Sequence, residues 1–192
     1  MKTTTKKMTW IGVLSAVAAL LFLIPGIPIV PPIYKLDFST LPALLGGFSM
    51  GPLAGALIVL VKDLVGLFTT QTGGVGELAD FVVSSSLVVT AAALYATRRT
   101  LKGALIGMGL GILLMILVGC AANYYVLIPF YQNVMGFPTA EVIRLVQATI
   151  PPVDSLWKLI LLATAPFNLI KGVALCGVTA LLYKRLSPLL QA

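Results

Sequence analysis

The sequence predicts an all-α integral membrane protein: one domain over residues 1–192, a six-transmembrane-helix bundle with N and C termini cytoplasmic. Three observations predict it. Of 192 residues, 59% are hydrophobic and only 10% are charged. A soluble domain of this size could not hide so much apolar surface, so the excess faces lipid. Uncharged stretches run from Met8 to Tyr34, from Phe38 to Val61, from Phe81 to Thr97 and from Gly103 to Ala140, and a helical span needs about 20 apolar residues. Basic residues then gather in three clusters beside the ends of apolar stretches: Lys2, Lys6 and Lys7; Arg98, Arg99 and Lys102; Lys184 and Arg185. Clusters so placed mark cytoplasmic loops, which sets aside the nucleic-acid reading of a net charge of +7.

The first helix runs from about Met8 to Ile29, where Pro25, Pro28, Pro31 and Pro32 stop it and leave the next stretch extended. Its basic start resembles a secretory signal, but it is long, has no small-residue cleavage site and precedes further spans, so it is kept as a mature helix. Tyr34 to Phe38 is an outer loop. A short helix from about Ser39 to Met50 re-enters the membrane with Ser39 or Thr40 as its cap. Gly51 and Pro52 make a tight inner turn into a third helix from Pro52 to about Phe68. The glycine-rich run Thr69 to Gly76 is its outer loop, and a fourth helix, about Val75 to Thr97, descends to the second basic cluster. A fifth helix climbs from about Leu101 to Tyr131. An outer connection from Gln132 to Asp154 holds a short amphipathic helix around Ala140 to Thr149, and a last helix runs from about Ser155 to Leu186. This tracing places the eight clustered basic residues inside, Lys35, Arg144 and Lys158 outside, and Lys62 and Lys171 within spans. No internal repeat is evident, which disfavours an inverted-repeat transporter.

The chain has no histidine and no cysteine pair at ligand spacing, which disfavours metal hydrolysis and histidine acid–base catalysis. Cys120 and Cys176 lie in apolar segments and read as reduced packing residues. Glu77 and Asp80 stand three apart at the outer start of a helix, where negative charge suits the N-terminal amides; the other readings are a substrate contact or a pairing of Asp80 with Lys62.

Polar groups deep in a span are more informative, because each costs about 3 kcal/mol unless it finds a partner. Asn123 lies in the outer half of the fifth helix. Asn168 and Lys171 are three apart, hence on one face of the last helix, with Asn168 about 20 Å inward from Ser155. The amides could clamp neighbouring helices; Lys171, with no acid beside it in sequence, needs a distant acid or a ligand oxygen. Carboxamides donate and accept whereas lysine only donates, a set that suits a flat heterocycle with alternating carbonyl and N–H groups. Such a ring, filling the space between the three groups, would account for their burial. Tyr124, Tyr125, Phe130, Tyr131 and Phe167 could enclose it, or serve as interfacial aromatics. On the first helix Gly12, Ser15, Ala16 and Ala19 form a small-residue flank, suited to packing in the bundle or to docking on another membrane protein.

Four runs carry a resemblance: Lys35-Leu36-Asp37-Phe38-Ser39-Thr40-Leu41-Pro42-Ala43-Leu44, Gly51-Pro52-Leu53-Ala54-Gly55, Asn123-Tyr124-Tyr125-Val126-Leu127-Ile128-Pro129 and Pro166-Phe167-Asn168-Leu169-Ile170-Lys171-Gly172. In order, and over nearly the whole chain, they resemble the riboflavin-specific substrate-binding (S) components of energy-coupling factor (ECF) transporters. The resemblance implies a multi-pass subunit of the bacterial cell membrane, surrounded by lipid, that is not an enzyme and has no cofactor. Riboflavin would be the transported ligand, with flavin mononucleotide a further candidate. It implies ring contacts from Asn123, Asn168 and Lys171 and a loop, about Ile33 to Thr40, that closes over the vitamin with Leu36, Asp37, Phe38 and Thr40; Tyr131 is carried beside them. The chain departs from the family pattern at Asp80, where asparagine is usual, so Asp80 is carried as a ribityl-chain contact with an altered side chain. The flank at Gly12, Ser15, Ala16 and Ala19 would meet a transmembrane coupling (T) component, itself bound to two ATPase subunits. The alternatives are an S component for thiamine, folate or biotin, and a small membrane enzyme or channel using Glu77, Asp80 and Lys62.

Overall fold

The computed structural model describes residues 2–31 and 33–190, with side chains described for 5–31 and 33–182. Pro32 and the side chains of the basic residues Lys2, Lys184 and Arg185 thus lie outside the described residues. Helix α1 spans Lys2–Leu23, six residues short of the predicted end at Ile29, because Pro25 disfavours a helical conformation at Ile24. The stretch expected to be merely extended is a β-hairpin. Strand β1, Ile27–Val30, pairs antiparallel with β2, Tyr34–Leu36, and a bulge between Pro28 and Val30 accommodates the proline that cannot donate.

Helix α2, Leu41–Met50, is followed directly by α3, Pro52–Gly66. Gly51 makes the turn at φ 97°, a left-handed conformation that a side chain would strain, and Pro52 starts the next helix without needing an N–H partner. Thr40 occupies the cap position of α2 but makes no capping hydrogen bond. The entry is fixed instead by Asp37, whose Oδ1 accepts from the Ser39 backbone N–H at 2.9 Å and from the Ser39 hydroxyl. Helix α4 is Val75–Thr97, and α5, Leu101–Ala122, starts at Thr100, whose side chain caps Gly103 N–H. Glycines at four-residue spacing let α5 lie close on α4. A Cβ at Gly107 would come within 2.7 Å of the Ala91 carbonyl oxygen, and one at Gly111 within 2.8 Å of that of Leu87.

The fifth and last helices each contain a wide π-type turn, Asn123–Leu127 before α6 (Ile128–Asn133), and Ile160–Thr164 between α8 (Leu156–Leu159) and α9 (Ala165–Leu190). Each lies just before a proline, Pro129 or Pro166. A proline leaves the carbonyl four residues back without its helical partner, and that carbonyl, of Tyr125 or Leu162, falls inside the wide turn. Helix α7, Thr139–Gln147, occupies the connection between α6 and α8, close to the predicted position.

Among the described residues, five helices are long and apolar enough to cross a membrane: Thr5–Leu23, Pro52–Thr69, Val75–Thr97, Leu101–Asn133 and Leu156–Leu182. Leu41–Met50 is apolar but shorter; its ten residues rise about 15 Å, half of a hydrocarbon core of about 30 Å. The chain is therefore a multi-pass, almost entirely helical membrane protein. Cys120 and Cys176 are free thiols.

The interior divides into two apolar clusters. The larger joins Leu44, Ile58, Leu87, Met115 and Leu175 from α2, α3, α4, α5 and α9. The smaller joins Val30 and Tyr34 of the hairpin to Ile128, Val146, Leu159 and Phe167. Along the hairpin, the fifth helix and the last helix, the chain passes from one cluster to the other through a layer of polar side chains.

Candidate ligand-binding site

Lysines from two helices and aspartates from two helices and a loop form one side of that layer. Lys62 of α3 is fully buried (0% exposed). Its ammonium group donates to Asp63 and, at 2.5 Å, to Asp80 Oδ2 on α4, and it sits 4.7 Å from the centroid of the Phe22 ring. Lys171 of α9 (5% exposed) donates to Asp37 Oδ2 at 2.9 Å and to Asp80 Oδ1 at 3.3 Å. Asp80 therefore divides its two oxygens between the two lysines, and its Oδ1 also accepts from Ser84 at 3.2 Å. Ser84 in turn pairs with Thr40 at 3.1 Å. Asp37 belongs to the loop before α2. Burial alone would raise its carboxyl, but the Lys171 ammonium and the Ser39 hydrogen bond outweigh burial and hold it below its ordinary value.

Uncharged groups form the other side. The Asn123 Nδ2 donates to the Gly119 carbonyl at 2.9 Å, and the Asn168 Nδ2 donates to the Thr164 carbonyl at 2.9 Å, so both carboxamides bond back one turn along their own helices. The Tyr34 hydroxyl reaches in from the hairpin, donates to Asn123 Oδ1 at 3.0 Å and lies 2.6 Å from Thr164 Oγ1. Its ring stacks on Phe167 with centroids 4.9 Å apart and planes 22° from parallel. Gly119 leaves the room that Asn168 occupies, since a Cβ there would come within 2.7 Å of the amide nitrogen.

The structure thus joins Lys171, Asp37 and Asp80 in one network, with Thr40 attached through Ser84, and ties Asn123 and Asn168 to a second one around Tyr34 and Thr164. Leu36 is buried in the hairpin, Phe38 packs under the layer on the larger cluster, and Tyr131 packs on the smaller one. Of the two partners open to Lys171 in the sequence, a distant acid or a ligand oxygen, the structure supplies the acid: Asp37 and Asp80, 134 and 91 residues away in the chain, pair with it, so a bound ring is not needed to account for its burial. Glu77 does not cap the amides of α4. Its Oε2 accepts from Thr70 and Thr72 hydroxyls at 2.9 and 3.1 Å, and Thr72 Oγ1 caps Gly76 N–H at 3.0 Å. Asp80 takes the pairing with Lys62 that the sequence left open. The small-residue flank of α1 divides: Gly12 and Ala16 are exposed, whereas Ser15 and Ala19 are buried against the bundle.

Sequence reasoning misses four members, of which Ser84 links Asp80 to Thr40. In the sequence Tyr34 marks only a loop boundary, although it precedes the Lys35-Leu36-Asp37 run directly. Asp63 was passed over beside Lys62, its sequence neighbour, and Thr164 stands one turn before Asn168. A separate groove between α4 and α5, about 400 Å³ and lined by Leu78, Val82, Val118, Ala121, Tyr125 and Val126 among others, offers aliphatic walls and no arrangement of donors and acceptors for a polar ring. Among the described residues, no three His, Cys, Asp or Glu side chains are grouped to hold a metal ion.

Comparison with known proteins agrees with the reading of the motifs. The profile of the family described as ECF transporter, substrate-specific component, matches residues 6–183. The chain is 35% identical over 187 residues to the riboflavin transporter RibU of Staphylococcus aureus, covering 97% of this chain and 93% of that protein. It is 28% identical over 191 residues to the riboflavin transporter FmnP of Bacillus subtilis, covering 95% and 93% respectively. A solved structure, described as "Structure and mechanism of the S component of a bacterial ECF transporter", is similar with a TM-score of 0.75 at 34% identity, covering 98% of this chain and 99% of that one.

Proposed function

This chain belongs to the family of ECF transporter substrate-specific components, and from that premise we propose that it captures riboflavin outside the cell for an ATP-driven transporter. The observation that carries the proposal is the 35% identity to a riboflavin transporter over 97% of the chain, joined to the donors kept by Asn168 and Lys171, both buried and three residues apart on α9, and by the partly buried Asn123. Each asparagine spends one amide hydrogen on its own helix and keeps another donor. Lys171 has three donors and gives two to Asp37 and Asp80, so one remains for a ligand carbonyl or hydroxyl. The isoalloxazine ring would meet these three side chains, and the ribityl hydroxyls would meet Asp37, Thr40 and Asp80, with Leu36, Phe38 and Tyr131 as apolar walls.

In this reading the helix Leu41–Met50 joins the five longer ones as a sixth, and both termini face the cytoplasm of a bacterial cell, as the basic clusters direct. The exposed Gly12 and Ala16 flank of α1 faces a T component, which couples the subunit to two ATPases. Titrating detergent-purified protein with riboflavin and following flavin fluorescence tests the assignment. Saturable quenching that flavin mononucleotide reproduces in part, and that thiamine, folate and biotin do not reverse, is the expected result. Quenching absent at all concentrations, or reversed by one of those other vitamins, would remove the riboflavin assignment.

A further inference from the structure

We propose that Tyr34, supported by Thr164, is a positioning residue that locks the Asn123 carboxamide in one of its two orientations and so sets the pattern that Asn123 offers to a bound heterocycle. The inference rests on the riboflavin reading, which names Asn123 as a ring contact. A carboxamide can rotate by half a turn and exchange its oxygen for its nitrogen, turning an acceptor into a donor. Asn123 is held against that rotation at both ends. Its Nδ2 faces the Gly119 carbonyl at 2.9 Å and its Oδ1 faces the Tyr34 hydroxyl at 3.0 Å. In the reversed orientation its oxygen would face the Gly119 carbonyl oxygen, two acceptors with no proton between them.

The lock needs the Tyr34 proton to point at Asn123. Having only one proton, the phenol spends it there, so in the 2.6 Å contact the Thr164 hydroxyl is the donor. The stack on Phe167 keeps the phenol from swinging away. Burial pushes the phenol's ionisation well above its ordinary value, so it remains a donor throughout the physiological range. Thr164 also lends its backbone carbonyl to Asn168. One residue, the last of the wide turn before α9, therefore supports both carboxamides, one through its side chain and the other through its main chain. What Asn123 keeps for a ligand is one amide hydrogen and one oxygen lone pair, in fixed positions.

Riboflavin dissociation constants for the full-length protein, measured by fluorescence quenching, test this through four proteins: wild type, Tyr34→Phe, Asn123→Ala and the double variant. Tyr34→Phe keeps the stack on Phe167 and removes only the hydroxyl. It should weaken binding about tenfold, the size of one buried hydrogen bond to a ligand-facing group, and add nothing in the Asn123→Ala background. Thr164→Val should follow Tyr34→Phe, while Thr164→Ser, which keeps the hydroxyl, should bind as the wild type does; this pair decides the matter if Tyr34→Phe does not fold. Affinity of Tyr34→Phe within twofold of wild type, tighter binding, or a loss that multiplies with that of Asn123→Ala would overturn the proposal. A wild-type protein that fails to quench would instead sink the riboflavin reading, so the two failures are distinct.

Discussion

Where α3, α4 and α9 meet the loop before α2, two lysines are shared among three aspartates; where the ends of α5 and α9 meet the hairpin, a tyrosine, a threonine and two asparagines satisfy one another without charge. Both regions lie in the same bundle, and α9 contributes to each, Lys171 to the first and Asn168 to the second. They differ in what the loss of one member leaves behind. Removing a neutral partner strands a dipole, whereas removing one ion strands a full charge in a medium that solvates it poorly. The charged side is thus all-or-none and ties helices together, and the neutral side can be altered in steps. The balance is already uneven on the charged side, because Asp63 Oδ2 is buried without a hydrogen-bond partner.

That contrast can be broken or sharpened. The largest effect is expected for Lys62→Met, which leaves Asp63 and Asp80 without their shared ammonium. It should destabilise the protein by about 3–5 kcal/mol in denaturant unfolding in detergent, and combining it with Asp63→Leu should restore part of the loss. Thr164→Val, on the neutral side, should cost about 1–3 kcal/mol in the same assay. If the two single variants proved equally harmful, the distinction between the regions would collapse. The smallest effect concerns pH. The Asp37 carboxyl is held below its ordinary value, so its contribution is complete above the unfolded value of about 4 and is lost only as pH falls through the lower folded one. The difference in melting temperature between wild type and Asp37→Asn should therefore stay constant from pH 8 to about pH 5 and shrink only below about pH 4. A difference that vanished between pH 7 and pH 6 would contradict the Lys171 pairing.

Much of the fold was legible because the bilayer imposes length and polarity on every span. The limits of α4 follow from the run between a glycine-rich loop and an arginine pair, and the turn at Gly51 and Pro52 from backbone rules alone. Asn168 and Lys171 stood out as polar side chains at one-turn spacing in an apolar helix. The partners of Lys171 did not, because Asp37 and Asp80 come from distant parts of the chain and no local pattern links them. The hairpin was hidden by its prolines, which signal the end of a helix more strongly than the start of a strand. Two signals were present and unread. The Gly107 and Gly111 spacing on α5 foretells the close approach to α4, and Asp63 beside Lys62 is an acid next to a base inside a span.

The wide turns at Asn123–Leu127 and Ile160–Thr164 have a consequence for the angular phase of the helices that contain them. Such a turn holds one residue more than a regular helix needs, and each residue of an α-helix advances the chain by about 100° around its axis. Were the turn to close into a regular helix with that residue retained, all that follows would swing by roughly a quarter-turn. In the last helix, Asn168 and Lys171 would then point away from whatever Leu156–Leu159 faces. The prolines that interrupt these helices thereby act as indexing marks, setting which sectors of the two cylinders confront each other across the layer.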